Sequence, residues 1–154
     1  MPSWCIYYRL KDPPQSFDKS SNLRFSLKNP CDVFLFDSKN RKFMALELKS
    51  TKENSMSFED INSKEKQSKM IHKHQILGLK EYGEFENTHC GFIFNFRDED
   101  KHVEITYYQD IHDFLRMTEE INKKSFNISD LYKYNAISIK GFKKRTKYDW
   151  SICG

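Results

Sequence analysis

The chain has 154 residues, 38% hydrophobic and 15% aromatic, which fits one compact domain with a core rather than a disordered tail. Its 26 Lys and Arg against 22 Asp and Glu give a net charge of +4, an excess that permits a polyanionic partner without demanding one. Cys5, Cys31, Cys90 and Cys153 form no Cys-x-x-Cys and fit the reduced thiols of a cytoplasmic protein, and no apolar run approaches the roughly 20 residues of a membrane-spanning helix.

Taken in order, Trp4 to Leu10 reads as a strand stopped by Asp12-Pro13-Pro14. Residues 12–29 carry Ser, Asn, Lys and Pro around Phe17, Leu23, Phe25 and Leu27, a loop or stalk excursion from the domain. Pro30 to Ser50 reads as a β-hairpin, with residues 31–36 and 42–49 as strands and the polar run Asp37 to Arg41 as its turn. Alternation puts Glu47 and Lys49 on one face and Leu46 and Leu48 on the other. Asp32 alternates with Phe34 and Phe36, so pairing of the two strands brings its carboxylate towards Glu47.

Two carboxylates from neighbouring strands, with the carbonyl between Glu47 and Lys49, suit a hard divalent cation such as Mg²⁺. Lys49 beside it can orient or deprotonate a water, or neutralise charge growing on a pentacovalent phosphate. Taken alone, Glu-x-Lys fits a strand-end ion pair better. The Pro-x-Asp one hairpin upstream is what favours the cation site.

Residues 51–67 read as a polar loop passing into a helix, anchored by Met56, Phe58 and Ile61. Ser68 to Tyr82 has helical spacing, with Ile71, Gln75, Gly78 and Tyr82 on one stripe and His74 and Leu79 at its edges. Gln75 is the polar member of that stripe, and its amide needs a partner that the Asp32 and Glu47 face can supply. Gly78, without a side chain, lets the helix approach the sheet closely. His72, His74, His89 and Cys90 do not read as a zinc site, because residues two apart on a helix diverge by roughly 200°.

Cys90 to Phe96 is an apolar run expected of a central strand reached by a helical crossover. Arg97 to Lys101 reads as a charged turn, His102 to Tyr108 as an edge strand, and Asp110 to Ile121 as a helix. Asn127 to Tyr134 reads as a short helix with Ser129 near its start, and Ala136 to Ile139 as a strand-like piece. Residues 140–150 are basic and interleaved with aromatics, a composition that suits either a nucleic-acid surface or a solvated tail.

Pro30-Cys31-Asp32 followed by Glu47-Leu48-Lys49-Ser50 resembles the PD-(D/E)xK nuclease motif. Further segments, Tyr8 to Asp12, Asn22 to Phe25, Glu47 to Lys52, Lys73 to Leu79 and Gly91 to Arg97, resemble the RecU-type Holliday-junction resolvases of Gram-positive bacteria and their phages. The resemblance implies a single α/β domain with a restriction-endonuclease-like mixed β-sheet core flanked by helices. It implies a Mg²⁺-dependent endonuclease, with Mn²⁺ as a substitute, acting as a homodimer on branched DNA and four-way junctions, with a recombinase as a further partner. The implied catalytic set is Asp32, Glu47, Lys49 and Gln75, with Asp32, Glu47 and Gln75 as metal ligands. The implied DNA contacts are Arg9, Lys11, Arg24, Lys52 and His74, and the composition of the basic segment adds Lys143, Lys144, Arg145 and Lys147 as candidates. Two departures stand out: the chain starts past the family's N-terminal helix, which often carries an acidic residue next to the metal, and Pro30 replaces a hydroxyl residue. Alternatives from the same residues are a nuclease for flapped or foreign DNA and a non-catalytic module that binds branched DNA or a recombinase.

Overall fold

The turn between the first two long strands closes on Asp37. Its Oδ1 accepts from Lys39 N at 2.9 Å and Asn40 N at 3.0 Å, its Oδ2 accepts from Asn40 Nδ2 at 2.7 Å, and Arg41 takes a positive φ of 54°. That turn sets the register of β2 (Val33–Asp37) on β3 (Lys42–Thr51), pairing Asp37 with Lys42 and Val33 with Leu46. The computed structural model describes residues 3–11, 29–65, 67–98, 103–142 and 147–148. The stalk at 12–28 and the basic residues 143–146 lie outside them.

β1 (Cys5–Arg9) pairs antiparallel with β2 at one edge. After β3 the chain makes β4 (Ser55–Ser57), then α1 (Lys73–Gly83), and returns through β5 (Thr88–Asp98), which lies parallel to β3. The parallel pairing follows from the crossover, since an intervening helix carries the chain back to start a new strand in the same direction. β6 (Val103–Asp110), α2 (Ile111–Glu120), β7 (Ser125–Asn127), α3 (Ile128–Lys133) and β8 (Ile137–Ile139) follow. The result is an α/β fold built on a mixed six-stranded sheet in the order β1-β2-β3-β5-β6-β8, with helices packed on it. Between β5 and β6 the backbones come so close at Gly91 that a Cβ would lie 2.1 Å from the Gln109 carbonyl oxygen. Only glycine fits there.

One face of the sheet carries the main core. Phe92, Phe94, Phe96 and Tyr107 pack under Ile76 and Leu79 of α1, Phe114 and Met117 of α2, and Leu131 of α3. The Phe92 and Phe114 rings stand 4.6 Å apart. The other face holds a smaller cluster of Val33, Leu35, Met44, Leu46, Ile93 and Tyr108. Cys90 to Phe94 of β5 and Met44 to Leu46 of β3 are therefore apolar on both faces, as the continuous run from Cys90 predicts.

Four expectations change. The helix starts at Lys73 rather than Ser68, because Ile71 bridges to Phe58 and donates to the Ser57 carbonyl at 3.0 Å, leaving His72 extended as the N-cap. Within the expected loop 51–67, β4 pairs with β7 and buries Met56 against Phe126. β6 is not an edge strand, since β8 pairs along it. Arg97 and Asp98 extend β5 instead of forming a turn. Beyond β8, β9 (Gly141–Phe142) and β10 (Lys147–Tyr148) make a two-stranded ribbon.

Candidate active site

Asp32 stands at the end of β2, one residue past the Val33 and Leu46 pair, and so faces Glu47. Its backbone N–H donates to the Leu46 carbonyl at 3.1 Å, and its own Oδ2 accepts from Leu48 N at 2.8 Å. The carboxylate thus takes the place of the next strand carbonyl, in a spot where the chain turns away at Pro30. Glu47 is buried, with 4% of its surface exposed. Glu47 Oε1 receives the Lys49 ammonium at 3.0 Å and the side-chain amide of Gln75.

Burial pushes the Glu47 carboxyl above its ordinary pKa; the Lys49 charge opposes this and the Asp32 charge adds to it. Among the described residues, a buried carboxylate with a second one facing it and Lys49 as the one cation paired with it is short of positive charge. Among the described residues, Asp32 Oδ1 and Glu47 Oε2 have no hydrogen-bond partner, so each carboxylate has one oxygen outside the protein's own hydrogen bonds. No group of three or more His, Cys, Asp and Glu side chains converges on a metal position among the described residues. Two carboxylate oxygens suit Mg²⁺, which retains waters and takes substrate phosphate for its remaining ligands.

The helix above this face is set by two contacts. Gly78 lies on the backbone of Pro30, and Tyr82 packs its ring 5.7 Å from Phe34. That places Gln75, one turn earlier, over Glu47. Gln75 Oε1 accepts from His72 N at 2.9 Å while Nε2 donates to Glu47. The assignment of the two amide atoms is fixed, because a backbone N–H needs the oxygen and a carboxylate needs the nitrogen. Gln75 thus ties the helix N-cap to Glu47, its oxygen on His72 N and its nitrogen on the carboxylate.

The remaining candidates scatter. Arg9 is exposed at the end of β1, opposite Val33, and so shares the Leu46 face rather than the Glu47 face. Lys11 is exposed, and Lys52 is exposed just past the end of β3. His74 is exposed in the first turn of α1, its ring stacked 5.6 Å from that of His72. Lys147 lies in β10, while Arg24, Lys143, Lys144 and Arg145 fall outside the described residues. Cys5, Cys31 and Cys90 are buried free thiols. Burial pushes Cys31 up to about 12, so the thiol next to Asp32 is inert rather than nucleophilic.

Glu59 is a neighbour that the sequence does not reveal. Its Oε2 accepts from Lys73 N at 2.6 Å and its Oε1 lies 3.1 Å from His72 Nδ1, at the N-terminus of α1. The Lys73 N–H, followed by His72, holds its carboxyl below the ordinary range against an opposing effect of burial. Nothing local marks it, since it reaches the helix only through the Phe58 and Ile71 bridge.

No protein-family model matches the chain. It is similar to the SPbeta prophage-derived uncharacterized protein YotM of Bacillus subtilis (strain 168), at 29% identity over 164 residues that cover 97% of this chain and 76% of that protein. No helix among the described residues is long and apolar enough to cross a membrane.

Proposed function

We propose that the protein is a Mg²⁺-dependent endonuclease of the PD-(D/E)xK type, with a restriction-endonuclease-like core, that cuts DNA at four-way junctions during recombination and repair in the cytoplasm. One observation carries the reading: Asp32 and Glu47 meet across adjacent strands with Lys49 on the same face, and each carboxylate keeps an oxygen outside the protein's own hydrogen bonds. The order of strands around that site, an antiparallel β2 and β3 followed by a helical crossover to a parallel β5, supports the same nuclease type. Likeness to a prophage-derived protein fits the phage setting that the resemblance implies.

Asp32 and Glu47 are the residues that would hold Mg²⁺, with Mn²⁺ as a substitute. When bound, the cation would supply Lewis-acid polarisation of the scissile phosphate. Gln75 holds Glu47 through Oε1 and so leaves Oε2 outside its own hydrogen bond. Hydrolysis forms a bond from the water oxygen to phosphorus and breaks the bond to the 3′-oxygen, leaving 5′-phosphate and 3′-hydroxyl ends. Charge accumulates on the phosphorus oxygens as this happens. The Lys49 ammonium, held at 3.0 Å from Glu47, is placed to neutralise it. No side chain forms a covalent intermediate.

Cleavage of a labelled four-way junction by wild type, Asp32→Asn and Glu47→Gln tests the reading. Each variant keeps its size and loses a metal-binding charge, so cleavage disappears while junction binding persists. Cleavage close to wild type in either variant removes that residue from the site. Equal cutting of junction and plain duplex favours a general nuclease, and binding without any cleavage by wild type favours a non-catalytic module.

A further inference from the structure

The first turn of α1 reaches Glu47 of β3 through Gln75, and a helix N-terminus attracts an anion. Here the anion is the protein's own. Glu59 spans two groups, with Oε2 on Lys73 N at 2.6 Å and Oε1 3.1 Å from His72 Nδ1. Its side chain is 15% exposed, and its backbone is tied down by Glu59 N donating to the Ile71 carbonyl at 2.9 Å. His72 carries this restraint inward, since its N–H donates to Gln75 Oε1 at 2.9 Å and the other end of that amide donates to Glu47. Four side chains or backbone groups are thereby linked in one line from Glu59 to the carboxylate pair.

We propose that Glu59 is a positioning residue of the Asp32 and Glu47 site, acting through His72 and Gln75 to keep the Gln75 amide nitrogen on Glu47 Oε1 and leave Oε2 for a cation. The role rests on the nuclease reading above. Glu59 touches neither the carboxylates nor Lys49 and is not itself catalytic. When its contacts are lost, the N-cap turn slackens, the Gln75 oxygen loses its donor, and the amide can rotate to set oxygen against oxygen at Glu47. Residues that orient metal ligands typically change metal affinity or activity about 10–100-fold when removed.

A plain helix cap would also stabilise α1, so the test asks whether Glu59 acts through Gln75. Junction cleavage and Mn²⁺ affinity are measured for Glu59→Gln, Gln75→Ala and the double variant. Each single change is expected to lower both about tenfold or more, and the double variant to be no worse than Gln75→Ala alone. Effects that multiply across the two sites would overturn the proposal, because Glu59 would then act independently of Gln75. If Glu59→Gln does not fold, the cycle is run with Glu59→Asp, which keeps the charge but is too short to span both Lys73 N and His72 Nδ1. A readout free of activity accompanies it: the side-chain amide resonances of Gln75 in a ¹⁵N-labelled sample are expected to move in the Glu59 variant. Unchanged resonances would overturn the positioning role even in a protein that cuts DNA. Moved resonances in a protein that cuts nothing would keep the role and remove the nuclease reading instead.

Discussion

Gly78 lies against Pro30, where a Cβ would come 3.0 Å from the proline carbonyl oxygen. The contact sets the height of α1 above the sheet, and Gln75 is one turn away on the same face. Gly78→Ala gains up to about 1 kcal/mol of helix propensity but forces a backbone against a backbone, an overpacking that typically costs about 1–3 kcal/mol. The expected net is a loss of about 1 kcal/mol in denaturant unfolding. A loss of Mn²⁺ affinity larger than that stability change explains should accompany it, because Gln75 moves with the helix. Unchanged metal affinity in the folded variant would show that the contact with Pro30 does not position the site.

Lys49 and Glu47 form an ion pair at 3.0 Å, with the lysine side chain 15% exposed. A structural ion pair and a catalytic lysine make opposite predictions here. Lys49→Ala removes a positive charge next to the cation position, so Mn²⁺ should bind at least as tightly as in wild type while junction cleavage falls by about 10²-fold or more. Retained cleavage with a drop in stability would identify the lysine as a strand-end partner of Glu47 and nothing else.

How far the sequence discloses this arrangement depends on the range of the interactions that build it. The hairpin and the pairing of Asp32 with Glu47 are legible because a period of two and a turn around Asp37 settle register locally. The inward face of α1 is legible for the same reason, Gly78 and Tyr82 falling at helical spacing. Gln75 announces a partner by being polar on an apolar stripe. Which of its atoms meets Glu47 depends on His72 N, and that follows from where the helix begins. The helix begins late because Ile71 is captured by Phe58, a tertiary contact that overrides the helical pattern of residues 68–71. Met56 and Phe126 are hidden likewise: two three-residue strands far apart in sequence carry no periodic signal. Glu59 depends on the same bridge and is illegible without it.

The basic segment of Lys143, Lys144, Arg145 and Lys147 tests the DNA surface independently of the metal site. If its charges meet phosphates, neutralising all four lowers the salt dependence of junction binding by up to about four counterion units, alike for every sequence. Fluorescence anisotropy across a salt series measures this. An unchanged slope would assign the segment to solvent.

A resolvase makes two opposed cuts, and each chain offers one Asp32 and Glu47 pair, so a two-fold homodimer is the expected active form. Light scattering at micromolar protein with junction DNA should give two copies per junction. A monomer that still makes paired cuts would defeat the symmetric arrangement.

Glu47 supplies a prediction in which pH and metal oppose each other. Burial raises its folded pKa above the ordinary carboxylate value, with Asp32 adding to the effect and Lys49 reducing it. The folded protein therefore holds this proton more tightly than the unfolded chain does. Its stabilising contribution is fully present below the unfolded pKa and is lost as pH rises through the raised folded value. Glu47→Gln cannot ionise and escapes that loss. The melting temperature of the metal-free variant relative to wild type should therefore climb as pH increases from 4 to above the raised value and then level off. Metal binding reverses the comparison, because a cation needs the ionised carboxylate and stabilises only the protein that can supply it. Saturating Mg²⁺ at neutral pH should raise the wild-type melting temperature and leave Glu47→Gln nearly unmoved. A difference between the two proteins that ignores pH would mean that Glu47 does not carry the burial penalty, and an equal response to Mg²⁺ would place the cation elsewhere.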